Sequence, residues 1–145
     1  MDTIDRLDAI EAIRQLKARY FRCIDTKDWA GLAAVFASDA VMDMTSEGSG
    51  ITTGAAEIAE FVRTCGIEPA QTVHHGHNPE ITITSDTSAT GLWPMEDMLR
   101  WPDGTFQLKT LHGYGHHHET YERIDGQWLI KSLRLTRLRV DVEPA

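Results

Sequence analysis

The histidines are the residues of this chain best suited to chemistry, and all seven of them fall in two short stretches. His74, His75 and His77 form the upstream group, while His112 and the triplet 116–118 form the downstream group. An imidazole changes charge near neutral pH, so it can transfer protons or bind a metal ion. If both stretches are strands of one sheet, several imidazoles could line one cavity.

Side chains along the downstream stretch divide between two faces if the stretch is a strand, because successive residues of a strand point in opposite directions. Tyr114, His116 and His118 would then share one face, while His117 and Glu119 would share the other. The upstream group divides in the same way. Not all seven histidines can therefore enter one cavity.

Three helices are predicted in the N-terminal half of the chain. Apolar side chains recur every three or four residues over residues 3–25, which is typical of an amphipathic helix. Asp28 is placed to cap a short second helix, and a third helix is predicted from Gly54 to Thr64. A short strand is expected at residues 40–44.

The C-terminal half has the period-two pattern of strands. Long strands are predicted at residues 73–84, 88–99, 105–122 and 127–141. The Asp125-Gly126 pair is a turn signal between the last two. Helices followed by a meander of long strands give an α+β domain. We therefore expect a single domain over residues 1–145, with a strongly bent sheet wrapped around the three helices.

Composition excludes several classes of partner. The 145 residues are 41% hydrophobic and 25% charged, an ordinary mix for a globular domain. A formal net charge of −8 argues against nucleic acid or an anionic membrane surface as a partner. No run approaches the roughly 20 apolar residues of a membrane span. Cys23 and Cys65 make no disulfide framework, so we expect a cytoplasmic protein.

No cofactor or metal is predicted. No Gly-rich nucleotide loop follows a strand, and no Gly-x-Ser-x-Gly nucleophile motif occurs. The spacing of the histidines also occurs in metal sites, but no cysteine or carboxylate stands beside them at a diagnostic spacing. We therefore expect acid–base chemistry by side chains alone.

Four segments of the chain resemble, in their order and spacing, the SnoaL-like branch of the nuclear-transport-factor-2-like superfamily. They are Tyr20–Trp29 and Phe36–Val41 at the ends of the first two helices, His74–Ile81 on the first long strand, and Tyr114–Trp128. The resemblance implies a cone of curved antiparallel or mixed sheet capped by three N-terminal helices. This superfamily contains dehydratases, isomerases, cyclases, hydrolases and non-enzymes, so the fold does not decide the function.

Within that branch, the polar residues are most similar to those of the scytalone dehydratases and the bile-acid 7α-dehydratases. These enzymes have a tyrosine late in the first helix, an aspartate at its end and a histidine on the first long strand, matched here by Tyr20, Asp25 and His74. A second histidine of scytalone dehydratase corresponds to His116, where many relatives carry Tyr-x-Asp. The resemblance therefore implies catalytic roles for these four residues.

Dehydration beside a carbonyl group is the chemistry that the four residues suit. His74 would remove the α-proton while Asp25 fixes its tautomer, and Tyr20 would donate a hydrogen bond to the carbonyl oxygen. His116 would protonate the departing hydroxyl. Five further side chains are predicted to line an apolar substrate pocket: Met42, Met44, Phe61, Trp93 and Tyr114.

The favoured function is dehydration, or the related isomerisation, of an apolar cyclic hydroxy-carbonyl compound. Two alternatives stay open: a SnoaL-like polyketide cyclase, which uses the same acid–base logic, and a non-catalytic module that binds a small molecule. Each candidate residue also has a purely structural interpretation in core packing. Because the relatives form dimers or trimers, we expect a homo-oligomer, with a trimer favoured over a dimer.

Overall fold

Three helices form the N-terminal part of the protein, whose computed structural model describes residues 1–145. Helix α1 spans Thr3–Asp25, α2 spans Trp29–Ala34 and α3 spans Ala55–Val62, with a π-helical turn at Arg63–Ile67. Asp2 begins α1 through a capping box, so the first orphan N–H groups of that helix are satisfied. The predicted bounds of the first helix are confirmed. None of the helices is long and apolar enough to cross a membrane.

Seven strands form one mixed sheet. They are β1 (Phe36–Asp43), β2 (Ile51–Thr53), β3 (Gln71–Gly76), β4 (Glu80–Ile83), β5 (Ser88–Arg100), β6 (Leu108–Ile124) and β7 (Gln127–Pro144). Their order is β2-β1-β7-β6-β5-β3, and β4 pairs with β5 beyond the end of β3. Strands β1 and β7 run parallel, whereas every other pair is antiparallel.

The sheet curves around α1, and the main core fills the concave side. The β6–β7 ladder shifts register at three places, and such bulges bend a strand pair and increase its twist. Ile13 and Leu16 of α1 are buried there with Ile58 of α3 and with Ile130 and Leu133 of β7. The predicted α+β cone capped by three helices is confirmed.

Element boundaries differ most from the sequence prediction in two regions. The strand predicted at 73–84 is interrupted after Gly76, because Pro79 lacks an N–H for the ladder and His77 N–H instead donates to the Pro94 carbonyl at 2.8 Å. Strand β1 begins at Phe36, before the predicted start at residue 40, since pairing with β7 extends it. The short strand β2 was not predicted.

Candidate active site

A cavity of about 320 Å³ lies between the concave face of the sheet and the helices. Fifteen of its 22 lining residues are hydrophobic, so an apolar ligand suits it. Met42, Met44 and Phe61 line it as predicted. A wider groove of about 600 Å³ on the outer sheet face is lined by 13 residues, of which three are hydrophobic, and contains none of the predicted catalytic residues.

Trp93 and Tyr114 were predicted to line the cavity, and that prediction is wrong for both. Trp93 is buried in the wall, where its indole N–H donates to the Tyr121 hydroxyl at 2.8 Å. Tyr114 lies on the outer sheet face and stacks on His112 with 4.4 Å between ring centroids. Its orientation follows from strand alternation, because the neighbouring Gly113 and Gly115 occupy the inward positions.

Asp25 and His74 form a tight pair at the edge of the cavity. Asp25 is the last residue of α1, and its Oδ1 lies 2.6 Å from Nδ1 of His74 in β3. The same carboxylate accepts the backbone N–H of His74 at 2.9 Å and the hydroxyl of Thr72 at 2.8 Å. His74 lines the cavity and Asp25 lies behind it. The pair therefore leaves Nε2 of His74 as the nitrogen available to a ligand.

Hydrogen bonding keeps Asp25 ionised. Burial by itself would raise the pKa of this carboxyl, but the hydrogen bonds from His74 and Thr72 outweigh it and hold the pKa below its ordinary value. An anionic Asp25 accepts the Nδ1 proton of His74 and so fixes the tautomer in which Nε2 carries a lone pair. That is the tautomer a general base needs.

Tyr20 presents its phenol to the same cavity. Only 4% of its surface is exposed, and its hydroxyl makes no hydrogen bond within the protein. Burial, followed by the nearby carboxylates of Glu119 and Asp97, raises the pKa of Tyr20. The hydroxyl therefore stays protonated and can donate a hydrogen bond to a ligand oxygen.

His117, and not His116, is the downstream histidine that reaches the cavity. His117 is 3% exposed and stands opposite the buried Leu135 of β7, whereas His116 stands opposite Thr136 on the outer face. The predicted position of His116 is thus wrong by one residue, which on a strand means the opposite face. The sequence showed that His116 and His117 point in opposite directions, but not which of the two points into the cavity.

His117 is held as a neutral imidazole. Burial, followed by the charge of Lys17, lowers its pKa well below the ordinary value. Its Nδ1 lies 2.7 Å from Nζ of Lys17, an α1 residue that the sequence did not single out. The Phe21 ring packs beside both His117 and His74, with centroids 5.9 Å and 6.1 Å away. The two imidazoles therefore lie at the same end of the cavity.

A second ion pair in the cavity was missed by the sequence analysis. Asp97 stands directly opposite His74 in the β3–β5 ladder and binds Arg137 of β7 at 2.6 Å and 3.0 Å. Arg137 also donates to Glu47 at 2.8 Å. Burial would lower the pKa of Arg137, but these carboxylates raise it above its ordinary value, so it stays cationic. The available signal was an acidic residue and a basic residue within two long predicted strands.

The remaining histidines lie outside the cavity. His77 and His112 both contact Glu96 on the outer face, at 2.7 Å and 3.0 Å, and His118 lies beside Thr136. No group of three or more His, Cys, Asp or Glu side chains is arranged to hold a metal ion. The histidines cluster in the sequence because they lie on or beside two strands, but only His74 and His117 face the cavity.

Comparison with known proteins identifies the family. The SnoaL-like domain family matches residues 5–134. A candidate scytalone dehydratase from Novosphingobium aromaticivorans DSM 12444 is 25% identical, with a TM-score of 0.84 over 97% of this chain and 91% of its own. The hexachlorocyclohexane dehydrochlorinase LinA-type3 from Novosphingobium barchaimii LL02 is 21% identical, with a TM-score of 0.82 over 99% and 94%.

A third similar structure is Aln2 from a Streptomyces species, which is 20% identical, with a TM-score of 0.74 over 90% of each chain. These likenesses extend over nearly the whole fold, including the helices and the long strands that surround the cavity. The chain therefore belongs to the SnoaL-like domain family, within the nuclear-transport-factor-2-like superfamily.

Proposed function

We propose that the protein is a cofactor-independent acid–base enzyme that removes water from an apolar cyclic hydroxy-carbonyl compound. One observation carries the proposal. Nε2 of His74, Nε2 of His117 and the hydroxyl of Tyr20 belong to cavity-lining residues, and none of the three atoms has a hydrogen-bond partner in the protein. Every fully buried polar side-chain atom of the protein has a hydrogen-bond partner. Because these three atoms have none, each is open to the cavity.

His74 acts as the base in this proposal. Asp25 holds its Nδ1–H, so the lone pair on Nε2 takes the proton from the carbon beside the carbonyl group. Tyr20 donates a hydrogen bond to the carbonyl oxygen, where negative charge develops as the C–H bond breaks. The apolar walls exclude water, which strengthens both interactions.

His117 takes the role that the sequence analysis gave to His116. With Nδ1 directed at Lys17, its remaining nitrogen Nε2 carries the proton and can donate it to the departing hydroxyl. Hydroxide is a poor leaving group, so protonation by a positioned group helps the C–O bond to break. The cavity thus offers a base, a donor for the carbonyl oxygen and an acid for the hydroxyl.

Loss of water fits this cavity better than loss of a halide ion, which is the reaction named for the dehydrochlorinase relatives. A departing chloride leaves without a proton, and it is stabilised best by a nearby positive charge. Arg137 is the cation that lines the cavity, but Asp97 and Glu47 already neutralise it. Its charge therefore contributes little to holding a free anion.

A panel of cyclic hydroxy-ketones tests the proposal, with the conjugated enone product followed by its ultraviolet absorbance. We expect turnover of at least one compound and a primary isotope effect when the α-carbon carries deuterium. His74→Asn should lower kcat/KM by about 10²–10⁴-fold, the range for a positioned acid or base. His75→Asn is the matched control, because His75 is the next residue on β3 and does not line the cavity.

Three results would contradict the proposal. Tight binding of panel members without any turnover would favour a binding module. Formation of a carbon–carbon bond would favour a cyclase. Equal losses in the His74→Asn and His75→Asn variants would show that His74 is not the base.

A further inference from the structure

Lys17 and Glu119 form an ion pair that is fully buried, with 0% of either side chain exposed. Lys17 lies in the middle of α1, and Glu119 lies 102 residues later on β6. A buried pair of charges is an unreliable source of stability, because desolvation offsets much of the attraction. A contribution to stability is therefore not a sufficient reason for the protein to bury these two charges.

In the hydrogen bonds around this pair, Lys17 is the donor and Glu119 is the acceptor. Nζ of Lys17 donates to Glu119, faces Nδ1 of His117 at 2.7 Å and lies 3.9 Å from the centre of the Tyr20 ring. The other Glu119 oxygen accepts the Tyr121 hydroxyl at 2.5 Å. Glu119 can only accept and a protonated Lys17 can only donate, so Nδ1 of His117 must be the acceptor.

This arrangement fixes His117 in one tautomer. With Nδ1 unprotonated, a neutral imidazole carries its proton on Nε2, the nitrogen left to the cavity. A neutral imidazole cannot release that proton alone, because it would become an imidazolate anion. It can release the Nε2 proton only if Nδ1 gains another at the same time.

We infer that Lys17 is a positioning residue that locks the His117 tautomer and resupplies its proton. The inference rests on the proposed dehydration. As the C–O bond breaks with its electron pair on oxygen, the hydroxyl takes the Nε2 proton and leaves as water. The Lys17 ammonium passes a proton to Nδ1 and becomes a neutral amine beside Glu119. His74 then releases the substrate proton to solvent. The relay resets when Nε2 of His117 takes a proton from solvent and Nδ1 returns its proton to the Lys17 amine, so no net proton is gained or lost.

The electrostatic surroundings suit such a relay. Burial lowers the pKa of Lys17, and Glu119 offsets that effect only in part, so the ammonium is a stronger acid than in water. Arg137 of β7, and His74 of β3 once it has taken the substrate proton, also disfavour a positive charge on His117. The imidazole therefore passes a proton on rather than retaining it.

A spectrum of the wild-type protein without substrate tests the lock. Protein with ¹⁵N-labelled histidine is examined by two-bond ¹H–¹⁵N correlation at neutral pH, and His117→Asn assigns the signals. We expect His117 to carry its proton on Nε2. A proton on Nδ1, or an imidazolium, overturns the inference. Because no substrate is needed, this result is independent of the proposed function.

The choice of leaving group tests the relay. Lys17→Met/Glu119→Gln removes both charges together, so that no unpaired charge stays buried, and a thermal melt checks that the variant folds. Its kcat/KM is compared on the hydroxyl substrate and on the analogue with chloride at the same carbon. We expect the hydroxyl-to-chloride ratio to fall by about 10²–10⁴-fold relative to wild type, since chloride leaves without a proton.

A structural role for Lys17 would lower both rates together. An unchanged hydroxyl-to-chloride ratio in the folded variant therefore overturns the inference, whatever the absolute rates. If no hydroxy-ketone of the panel is turned over by the wild-type protein, the proposed function fails, and the histidine spectrum still decides whether Lys17 locks the tautomer.

Discussion

Asp25 orients His74 through two hydrogen bonds and is itself held by a third from Thr72, which makes it the residue on which the base depends most directly. Replacing it with Asn keeps the size of the side chain but removes the negative charge that holds the Nδ1 proton. We expect Asp25→Asn to lower kcat/KM by about 10²–10⁴-fold. Steady-state kinetics measure the loss, and a rate within threefold of wild type would contradict the assigned role.

The same carboxylate gives the protein a dependence of stability on pH. Because the pKa of Asp25 in the folded state lies below its unfolded value of about 3.9, folding favours the ionised form. The contribution is fully present above that unfolded value and is lost as the pH falls through the folded pKa. Urea unfolding of wild type and Asp25→Asn should therefore show a difference that shrinks below about pH 4. A difference that grows on acidification would contradict this reasoning.

Neighbouring histidines on β6 give a matched test of which face points inward. His117→Asn removes the buried imidazole of the cavity, whereas His116→Asn changes the outer face. We expect a loss of about 10²–10⁴-fold in kcat/KM for His117→Asn and a change within threefold for His116→Asn. The reverse order would restore the role that the sequence analysis gave to His116.

At the scale of the elements, β6 makes room for the ion pair of the cavity. Gly113 stands opposite Asp97 in the β5–β6 ladder, and Arg137 crosses the space where a side chain would be. A Cβ on Gly113 would overlap both Asp97 and Arg137. The missing side chain at Gly113 therefore leaves the space that the Asp97–Arg137 pair occupies.

Adding a methyl group at that position tests the close approach. We expect Gly113→Ala to reduce the free energy of unfolding by about 1–3 kcal/mol, the usual cost of overpacking. Gly50→Ala is the control, because its Cβ would meet no atom within 4 Å, and it should stay within about 0.5 kcal/mol. Urea denaturation measures both variants. Equal effects would mean that the Asp97–Arg137 pair can move without cost.

The sequence predicted where helices and strands lie better than it predicted how the strands pair. Helix α1 follows from one apolar stripe, and its end at Asp25 was predicted to the residue. The strand predicted at 73–84 was wrong in its continuity, since two separate segments pair with β5 on either side of Pro79. Local periodicity detects extended backbone but not which residues of the partner strand it pairs with.

For the whole molecule, assembly stays a prediction. Leu138 is 75% exposed and Val142 is 51% exposed near the end of β7, and neighbouring exposed apolar side chains often mark an interface. We expect sedimentation equilibrium to give a homo-oligomer, with a mass near three times the 16.3 kDa of one chain favoured over a dimer.

A double substitution at that end of β7 tests the contact. Leu138→Asp/Val142→Asp should lower the sedimenting mass to that of one chain while leaving the circular dichroism spectrum unchanged, because both side chains are exposed. A wild-type protein that sediments as a monomer at micromolar concentration would contradict the prediction, and so would a variant that keeps its assembly.

The sequence by itself determined the class of fold, and its resemblance to a known family pointed to Asp25 and His74 as a pair. Periods of 3.6 and 2 define helices and strands locally, so the α+β order follows from them. The resemblance then directed attention to Tyr20, Asp25 and His74, which the structure brings to one end of the cavity or directly behind it. The fold class depends on local periodicity, and the three site residues depend on the family resemblance.

Only the tertiary structure decided which histidine faces inward and what stands behind it. Strand alternation divides the side chains between two faces but does not say which face is buried. The register of β6 against β7 places His117, and not His116, on the buried face. The contacts of Lys17 with His117 and Glu119 join residues about a hundred positions apart. Such pairs leave no local signal, because burial of a charge depends on which elements pack together and not on its neighbours in the chain.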